Sequence, residues 1–401
     1  MSRNLILIYI LVVIDSSIAA MVLPIQPQIF AVLAYSTFWV QISNALFRLT
    51  QLFSAPFLGH LADKWGRKPV FLLATTGTFV SYLLVLPLNV PAMFANRLLD
   101  GSSNGFYTAV RSAITDISEN IKSLERNLGM LSSLAALGII IGPAFSAIFG
   151  LWDIRFLPNK NITLIIAALF LALGNIVLAS AIQETRPDHW TKKKLSIVSR
   201  ASEQFKYSEL IPKFKKIWIE RRQLGLLIVM ELLMVSCLSY YFYFINFVTF
   251  SQLSFNSLDI SYFMIYFGLM IGVLHFTFFK YIAHRVNKKI LLVVCSLLGA
   301  VVLFGYAFVS SKWMLYALVP FDVMSASLMD GVIQGLIGKK LLENERGSVN
   351  GLIQGFSGIV AFLSPVIAAI LSLLGVGVPF FWFSFCLVLL FILALRLEYS
   401  Q

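Results

Sequence analysis

The chain has 401 residues, of which 59% are hydrophobic and 12% charged, and its mean hydropathy is +0.84. Soluble domains are about 45–50% apolar and about 25% charged, so this composition excludes a soluble globular protein. A helix needs roughly 20 apolar residues to cross the bilayer core, which leaves room for about twelve crossings. We therefore expect an integral membrane protein without a sizeable water-soluble domain.

The formal net charge is +12, from 31 Lys and Arg against 19 Asp and Glu. In a soluble protein this surplus would suggest a nucleic-acid partner, whereas in a membrane protein the cations concentrate in cytoplasmic loops. The three cysteines, Cys237, Cys295 and Cys386, lie in apolar runs, and their spacing is not typical of a metal site. We expect neither a disulfide nor a bound metal, and no cofactor.

Twelve apolar runs of helical length follow one another along the chain. They lie at about residues 5–23, 42–60, 70–88, 92–114, 129–150, 162–183, 223–246, 260–281, 289–309, 313–337, 348–373 and 377–396. The first run resembles a signal peptide, because Arg3 precedes it and Ser17-Ile18-Ala19 lies near its end. Asp15 interrupts the run and further spans follow, so we expect a retained first helix.

Residues 184–222 form a polar stretch that carries eleven Lys or Arg against five Asp or Glu. We interpret it as a cytoplasmic linker between an N-terminal half, residues 1–183, and a C-terminal half, residues 223–401. Aromatic side chains such as Phe214 and Trp218 alternate with its cations. Two interpretations stay open: a solvated basic linker, or a linker that is partly an amphipathic helix on the membrane surface.

When the loops are assigned alternately to the two sides of the membrane, nearly all cations fall on one side. Besides the cations of the linker, that side carries Arg3, Lys64, Arg67, Lys68, Lys122, Arg126, Arg285, Lys288, Lys289, Lys339, Lys340, Arg346 and Arg396. The other side carries Arg155, Lys160 and Lys312. The positive-inside rule then predicts a multi-pass plasma membrane protein, of the bacterial inner membrane, with both termini cytoplasmic. The charge surplus needs no nucleic-acid partner.

The two halves resemble each other at a constant offset. An offset of 222 residues pairs Gly129 with Gly351, Pro143 with Pro365, and Asp100 with Asp322. Six plus six spans of the same orientation form a parallel repeat, in which the substrate site lies between the halves near the bilayer midplane.

The loop between the second and third spans contains the most specific motif. It reads Gly59-His60-Leu61-Ala62-Asp63-Lys64-Trp65-Gly66-Arg67-Lys68-Pro69 and resembles the G-x-L-A-D-x-x-G-R-K loop of the major facilitator superfamily. Glycines allow a tight turn at the helix end, and the charged side chains can form a network at the cytoplasmic mouth. The resemblance implies that this network latches one conformation, with Asp63 facing a helix N-terminus of the other half. It also implies an all-α fold of twelve transmembrane helices in two pseudo-symmetric six-helix bundles.

Other segments agree with this family. They are Arg97-Leu98-Leu99-Asp100-Gly101, which resembles its R-x-x-x-G segment, Asp116 followed by Arg126 and Gly129, and Glu184-Thr185-Arg186-Pro187 at the end of the sixth span. The first span, with Asp15 ahead of Pro24 and Pro27, is similar to that of tetracycline-efflux drug/proton antiporters.

The fifth span contains Gly138, Gly142 and Pro143, which resemble the G-x-x-x-G-P motif found mainly in antiporters of the family. Small residues four apart let helices approach closely, and proline bends the helix. A plain packing helix would show the same pattern, and the two glycines that follow the proline in the family are Ser146-Ala147 here. Antiport and simple packing therefore both remain open.

Ionisable groups inside a span cost roughly 2.5–3.5 kcal/mol on insertion scales and mark candidate pathways or relays. The acids in the predicted spans outnumber the arginines by five to two; they are Asp15, Asp100, Glu231, Asp322 and Asp330, against Arg48 and Arg97. A carboxyl that alternates between an apolar cavity and an arginine partner can take up and release a proton. Proton coupling requires this property.

Asp15 is the best single proton carrier, because only apolar residues and two serines surround it; the alternative is a structural hydrogen bond to a neighbouring helix. Arg97 and Asp100 share one helical face, so they either neutralise each other or contact substrate. Arg48 either neutralises an acid or binds an anionic group of the substrate. In the second half, the clearest intramembrane acid is Glu231. It lies in the seventh span, which is the counterpart of the first span.

These features favour a monomeric, proton-coupled antiporter that exports a small organic solute, amphiphilic or cationic, by alternating access, with multidrug resistance as its phenotype. An alternative on the same fold is a proton-coupled importer of a metabolite or a siderophore-like metal chelate, with Arg48 and Arg97 as anion ligands. A third class, a receptor without transport or a membrane enzyme, is disfavoured because the sequence has no HExxH, Walker or CxxC motif. We expect protons, the solute and the lipid bilayer as partners, and no enzymatic activity.

Overall fold

The computed structural model describes residues 3–151, 159–186, 207–281, 286–341 and 346–398. Every regular element within these ranges is a helix. In chain order the α-helices are α1 (Arg3–Val22), α2 (Gln26–Phe30), α3 (Ser36–Trp65), α4 (Arg67–Leu83), α5 (Val90–Ser103), α6 (Phe106–Ile117), α7 (Ile121–Leu151), α8 (Lys160–Ala181), α9 (Tyr207–Glu220), α10 (Arg222–Leu238), α11 (Tyr240–Phe250), α12 (Ser257–Tyr281), α13 (Lys288–Tyr306), α14 (Lys312–Lys340), α15 (Arg346–Ser372) and α16 (Pro379–Leu395). Residues 187–206 of the predicted linker, together with Arg155 and Arg285, lie outside the described residues.

Each of the twelve predicted spans coincides with one or two of these helices. Seven segments are long and apolar enough to cross a membrane: Arg3–Phe30, Arg126–Phe149, Lys160–Ala181, Arg222–Phe250, Lys288–Tyr306, Lys312–Lys340 and Val349–Ser372. Two shorter apolar helices, Leu258–Leu274 and Pro379–Leu395, match the eighth and twelfth predicted spans. The second to fourth predicted spans correspond to α3, α4 and the pair α5 and α6.

Three predicted spans are interrupted helices. The fourth breaks between Ser103 and Phe106, where Asn104 leaves the helical conformation with ψ of 62°. The seventh divides at Ser239, between α10 and α11. The first continues past α1 through a 3₁₀ turn that contains Pro24, because proline lacks the N–H that a continuous α-helix requires.

The described residues divide by their contacts into two compact units. The first unit lies within residues 1–34, 46–205 and 256–268, and the second lies within residues 35–45, 206–255 and 269–401. The start of α3 therefore groups with the second unit, and the first part of α12 groups with the first. The domain boundaries at 183 and 223 stay predictions.

In the first unit α1 is the central helix and packs against α7 and α8. Its buried side chains Ile8, Leu11 and Val12 join Phe71 of α4 and Phe106 of α6 in one apolar core. Close van der Waals packing of such side chains holds neighbouring helices together in a bilayer, because lipid tails are as apolar as the side chains themselves. The residues beside Asp15 therefore belong to a helix that packs against α6, α7 and α8.

In the second unit α13 packs against α14 and α16, and α10 packs against α14, α15 and α16. Aromatic side chains form its centre: Phe244 lies edge-on to Tyr306, with 4.6 Å between ring centroids, and Phe380 contacts both rings. Edge-to-face aromatic pairs add about 0.5–1.5 kcal/mol beyond the area they bury. This aromatic core adjoins Asp322 of α14, to which Tyr306 is hydrogen-bonded.

Candidate functional site: a charged loop and buried acids

The motif loop between α3 and α4 contains a network of ion pairs. Arg67 Nη1 lies 2.5 Å from Asp63 Oδ1, and Arg67 Nε lies 2.9 Å from Asp116 Oδ2. Burial alone would lower the pKa of the Arg67 guanidinium, but the hydrogen bonds and negative charges of Asp116 and Asp63 outweigh burial and raise that pKa. Asp116, near the end of α6, thus ties α6 to the start of α4.

A carboxylate from the start of the predicted linker caps the first turn of α4. Glu184 Oε1 accepts a hydrogen bond from Arg67 N at 2.8 Å, and its Oε2 accepts one from Lys68 N at 3.2 Å. Gly66 has φ of +111°, which favours glycine, and the Glu184 carboxylate occupies the space where a side chain at 66 would lie. Helix N-terminal N–H groups and the helix dipole both favour an anion at this position.

Arg186 contacts the C-terminal end of α3, the helix that precedes the motif loop. Its Nη1 donates to the carbonyl oxygens of Asp63 at 3.1 Å and Lys64 at 2.5 Å, in the last turn of α3. A cation beside these C-terminal carbonyls is favoured for the same electrostatic reason. Glu184 and Arg186, two residues apart, therefore join the end of α3 to the start of α4.

The sequence named the residues of the charged loop, but it did not predict which atoms of these residues make the contacts. The structure brings Asp63 and Arg67 together, whereas Lys68 contributes its backbone N–H to Glu184. Gly59 lies within α3, where an added Cβ would be 2.9 Å from Thr108 Cγ2 of α6, so it is a packing position. The capping roles of Glu184 and Arg186 were missed, although an acid three residues after the end of α8 was a visible signal.

The antiporter-type glycines of α7 lie directly against α1. A Cβ at Gly138 would be 2.6 Å from both Ser16 Cβ and Val13 O, and one at Gly142 would be 2.9 Å from Ala20 Cβ and would overlap the carbonyl oxygen of Ser17. Both contacts involve backbone, which cannot move aside as a flexible side chain could. Pro143 follows within the continuous helix α7. The two glycines therefore set the distance between α7 and the turn of α1 that contains Asp15.

Asp15 is half-buried in α1, and within the described part of the chain its carboxylate has neither a hydrogen bond nor an ion pair. The neighbouring Ser16 Oγ is 2.6 Å from Tyr107 Oη of α6, and Ser17 Oγ donates to Val13 O at 2.7 Å. The charges of Asp15 and Asp100 interact electrostatically. The predicted proton carrier of the first half thus lies within electrostatic range of Asp100, a second candidate site residue.

Arg97 and Asp100 of α5 are not joined by an ion pair in the described residues. Arg97 Nη2 donates to Gln26 Oε1 at 3.5 Å, and its buried Nε has no hydrogen-bond partner. Arg97 and Asp100 are close enough to interact electrostatically. The guanidinium therefore lies near the acids while retaining unused donor capacity.

Arg48 of α3 belongs to a polar chain at the break between α5 and α6. Its Nη1 donates to Gln51 Oε1 at 2.9 Å, and Gln51 Nε2 donates to Asn104 Oδ1 at 3.1 Å. Asn104 is the residue at which α5 ends, so this chain links Arg48 to an interrupted helix. Either predicted role of Arg48 stays a prediction.

The second unit contains its own buried acids. Asp322 is 1% exposed, and its two carboxylate oxygens accept hydrogen bonds from Tyr240 Oη at 2.6 Å and Tyr306 Oη at 3.2 Å. Glu231 is 6% exposed; its Oε1 accepts from Gln334 Nε2 at 2.6 Å, while its Oε2 is buried without a partner. Sequence reasoning identified both acids but none of these donors, because each donor comes from a different helix than the acid it contacts.

Asp100 and Asp322, which the repeat offset pairs, have different surroundings. Asp322 is enclosed and bonded by two tyrosines, whereas Asp100 is half-buried and has no hydrogen bond to its carboxylate among the described residues. A doubly hydrogen-bonded buried carboxyl is held in one position. The first unit therefore contains the less constrained acids.

Comparisons with known proteins agree with this architecture. A sequence model of the Major Facilitator Superfamily matches residues 5–365. The chain is 22% identical to the class H tetracycline resistance protein of Pasteurella multocida, over 92% of this chain and 89% of that protein. It is also 22% identical to Multidrug resistance protein 2 of Bacillus subtilis (strain 168), over 92% of this chain and 88% of that protein.

The fold matches a solved transporter over almost its full length. The crystal structure of the human organic anion transporter MFSD10 (TETRAN) superposes with a TM-score of 0.69 at 17% identity, covering 98% of this chain and 100% of that one. The family match, the all-helical fold and the apolar spanning helices lead to one conclusion. The chain belongs to the Major Facilitator Superfamily and is a membrane transporter, not an enzyme.

Proposed function

We propose that this transporter is a proton-coupled antiporter that exports a small organic solute, amphiphilic or cationic, from the cytoplasm. Asp15 is the proton carrier; Asp100 lies within electrostatic range of Asp15, and Arg97 lies within electrostatic range of Asp100. The observation that carries this proposal is the contact between α7 and α1. The glycine pair Gly138 and Gly142 packs against the backbone on either side of Asp15, whose carboxylate has no direct partner in the described residues.

An ionised carboxylate in an apolar span is costly, and proton uptake removes the charge that causes the cost. Asp15 has Asp100 in electrostatic range, and a second negative charge increases this cost. Arg97, with its unused buried Nε, is the cation that can stabilise an ionised acid when the proton leaves. A carboxyl with these neighbours can change its proton occupancy as its surroundings change, which supports coupling to a proton gradient.

Export is supported by the names of two relatives aligned over nine-tenths of this chain, a tetracycline resistance protein and a multidrug resistance protein. A membrane transporter can confer resistance to a drug by moving the drug out of the cell. A second candidate function is uptake of an anionic metabolite or a metal chelate. The buried, partnerless Nε of Arg97 favours it, because a guanidinium with a free donor can bind an anionic group.

Cellular accumulation of tetracycline and of the lipophilic cation ethidium tests the proposal. In a bacterial strain without its own efflux pumps, the wild-type chain should lower accumulation several-fold, and a protonophore should abolish this effect. Asp15→Asn should raise accumulation to the level of cells without the transporter. Glu119→Gln, which removes an exposed carboxylate after α6, is the control and should export normally.

Higher accumulation in cells that express the wild-type chain would contradict export and favour the uptake alternative. Full export by Asp15→Asn would overturn the assignment of Asp15 as proton carrier. Membrane abundance of each variant, measured on the same cells, separates lost transport from lost protein.

A further inference from the structure

A basic cavity lies in the second unit, where α9 meets the spanning helix α10. It has a volume of about 380 Å³ and is lined by Arg221, Arg222, Gln223, Leu224, Lys340 and Glu398. Three of these side chains are cationic and one is anionic at neutral pH. The cavity is thus a concave surface with a positive balance at the end of a membrane span.

Hydrogen bonds fix the walls of this cavity. The Arg221 guanidinium donates to the carbonyl oxygen of Lys340 in the last turn of α14. On the opposite wall, Glu398 N donates to Gln223 Oε1 at 3.2 Å, and Lys289 Nζ donates to the adjacent carbonyl of Leu397 at 2.6 Å. Arg222 is exposed, so its charge is available at the rim. The cavity is therefore built from three segments tied together, with the Arg221 guanidinium held in its wall.

The helix that leads into the cavity has two apolar faces, of which the protein covers one. Leu210 packs over Gly355 of α15, and the rings of Phe214 and Phe356 have centroids 5.8 Å apart. Ile211 and Ile219 are 67% and 71% exposed. They are eight residues apart on α9 and share a face with exposed Lys215. Two exposed isoleucines beside a lysine are typical of a helix that lies in the interfacial layer of a membrane.

The position of α9 relative to the bilayer follows from the chain. Only Arg221 separates α9 from α10, which begins the spanning segment Arg222–Phe250. The end of α9 must therefore lie at the membrane surface, at the depth of the lipid headgroups. At that depth an exposed apolar face meets acyl chains and a basic cavity meets phosphate groups. Basic pockets beside transmembrane helices are suited to anionic lipid headgroups.

We propose that this corner of the second unit is a binding site for one anionic phospholipid. The headgroup phosphate occupies the cavity between Arg222 and Lys340, and the acyl chains lie against Ile211 and Ile219. A soluble phosphate compound would make no use of the two isoleucines, and an acidic protein would have to enter the headgroup layer to reach them. The combination of positive cavity and apolar flank therefore selects a lipid.

Native mass spectrometry of the full-length protein tests the site. The protein is purified in detergent and mixed with phosphatidylglycerol, with phosphatidylcholine, or with inorganic phosphate. We expect one phosphatidylglycerol molecule to be retained at least tenfold more tightly than phosphatidylcholine. The double variant Arg222→Gln with Lys340→Gln should lose this preference, and Ile211→Ser with Ile219→Ser should weaken phosphatidylglycerol binding by severalfold.

The matched control removes two cations elsewhere, in Lys160→Gln with Lys312→Gln, and should change the preference by less than twofold. Size-exclusion chromatography and circular dichroism establish that each variant is folded, and the single variant Arg222→Gln serves if the double variant is not. Equal retention of phosphatidylglycerol by the wild type and the cavity variant would overturn the proposal. Displacement of the lipid by millimolar inorganic phosphate, with no effect of the isoleucine variant, would show a free-anion site and would overturn it as well.

Discussion

At the residue scale, the charged loop illustrates how short sequence elements act through backbone as well as side chains. Arg67 binds two carboxylates with its guanidinium, while its backbone N–H binds a third. Gly66 makes room for that third carboxylate by having no side chain and a left-handed φ. The glycine, the arginine and Glu184 therefore form one unit, although 117 residues separate Arg67 from Glu184.

Replacement of Glu184 by alanine should destabilise the first unit. The change removes two hydrogen bonds to the first turn of α4 and an anion from its positive end, a loss of about 1–2 kcal/mol. The midpoint of thermal unfolding in detergent should fall measurably below that of the wild type. Glu119→Ala, in an exposed loop, is the control. Equal midpoints for the two variants would show that the cap has no structural role.

At the element scale, the contact between α1 and α7 is the structural basis of the candidate proton site. The glycines of α7 permit this contact because their absent side chains leave space for the backbone of α1 at Val13 and Ser17. The same helix contains Gly129, around which no atom lies within 4 Å of an added Cβ. Gly138 and Gly142 are therefore required for a close helix contact, whereas Gly129 is not.

This difference predicts the effects of two alanine substitutions in one helix. Gly142→Ala forces its Cβ into the backbone of α1, and overpacking of this kind costs about 1–3 kcal/mol. It should lower the thermal unfolding midpoint and reduce export. Gly129→Ala meets open space and improves helix propensity, so it should leave the midpoint unchanged or raise it. Export at the wild-type level by Gly142→Ala would contradict the importance of this contact.

At the scale of the whole molecule, the sequence predicted the helices well and their side-chain partners poorly. Each of the twelve spans that hydropathy predicted coincides with one or two helices, because a segment must be apolar over helical length to cross a bilayer. The break at Asn104 escaped prediction, since small polar residues also occur in continuous membrane helices. The tyrosines that bind Asp322 escaped as well, because pairing between distant helices depends on packing that no local pattern records.

The motifs located the charged loop and the glycine pair of α7 at positions where the structure has close contacts. They did so because both depend on local spacing: Arg67 is the fourth residue after Asp63, and Gly142 is the fourth residue after Gly138. Electrostatic neighbours such as Asp15 and Asp100, by contrast, come from separate helices. Their proximity required the structure.

The most direct test of the central claim is proton movement that accompanies tetracycline transport in proteoliposomes, followed with a pH-sensitive dye in the lumen. For the wild-type chain, a tetracycline gradient should drive protons in the opposite direction, and an imposed pH gradient should concentrate the drug. Asp15→Asn should still bind tetracycline but should lose the coupled proton movement. Undiminished proton movement in Asp15→Asn, or drug flux in the wild type without proton movement, would contradict proton antiport through Asp15.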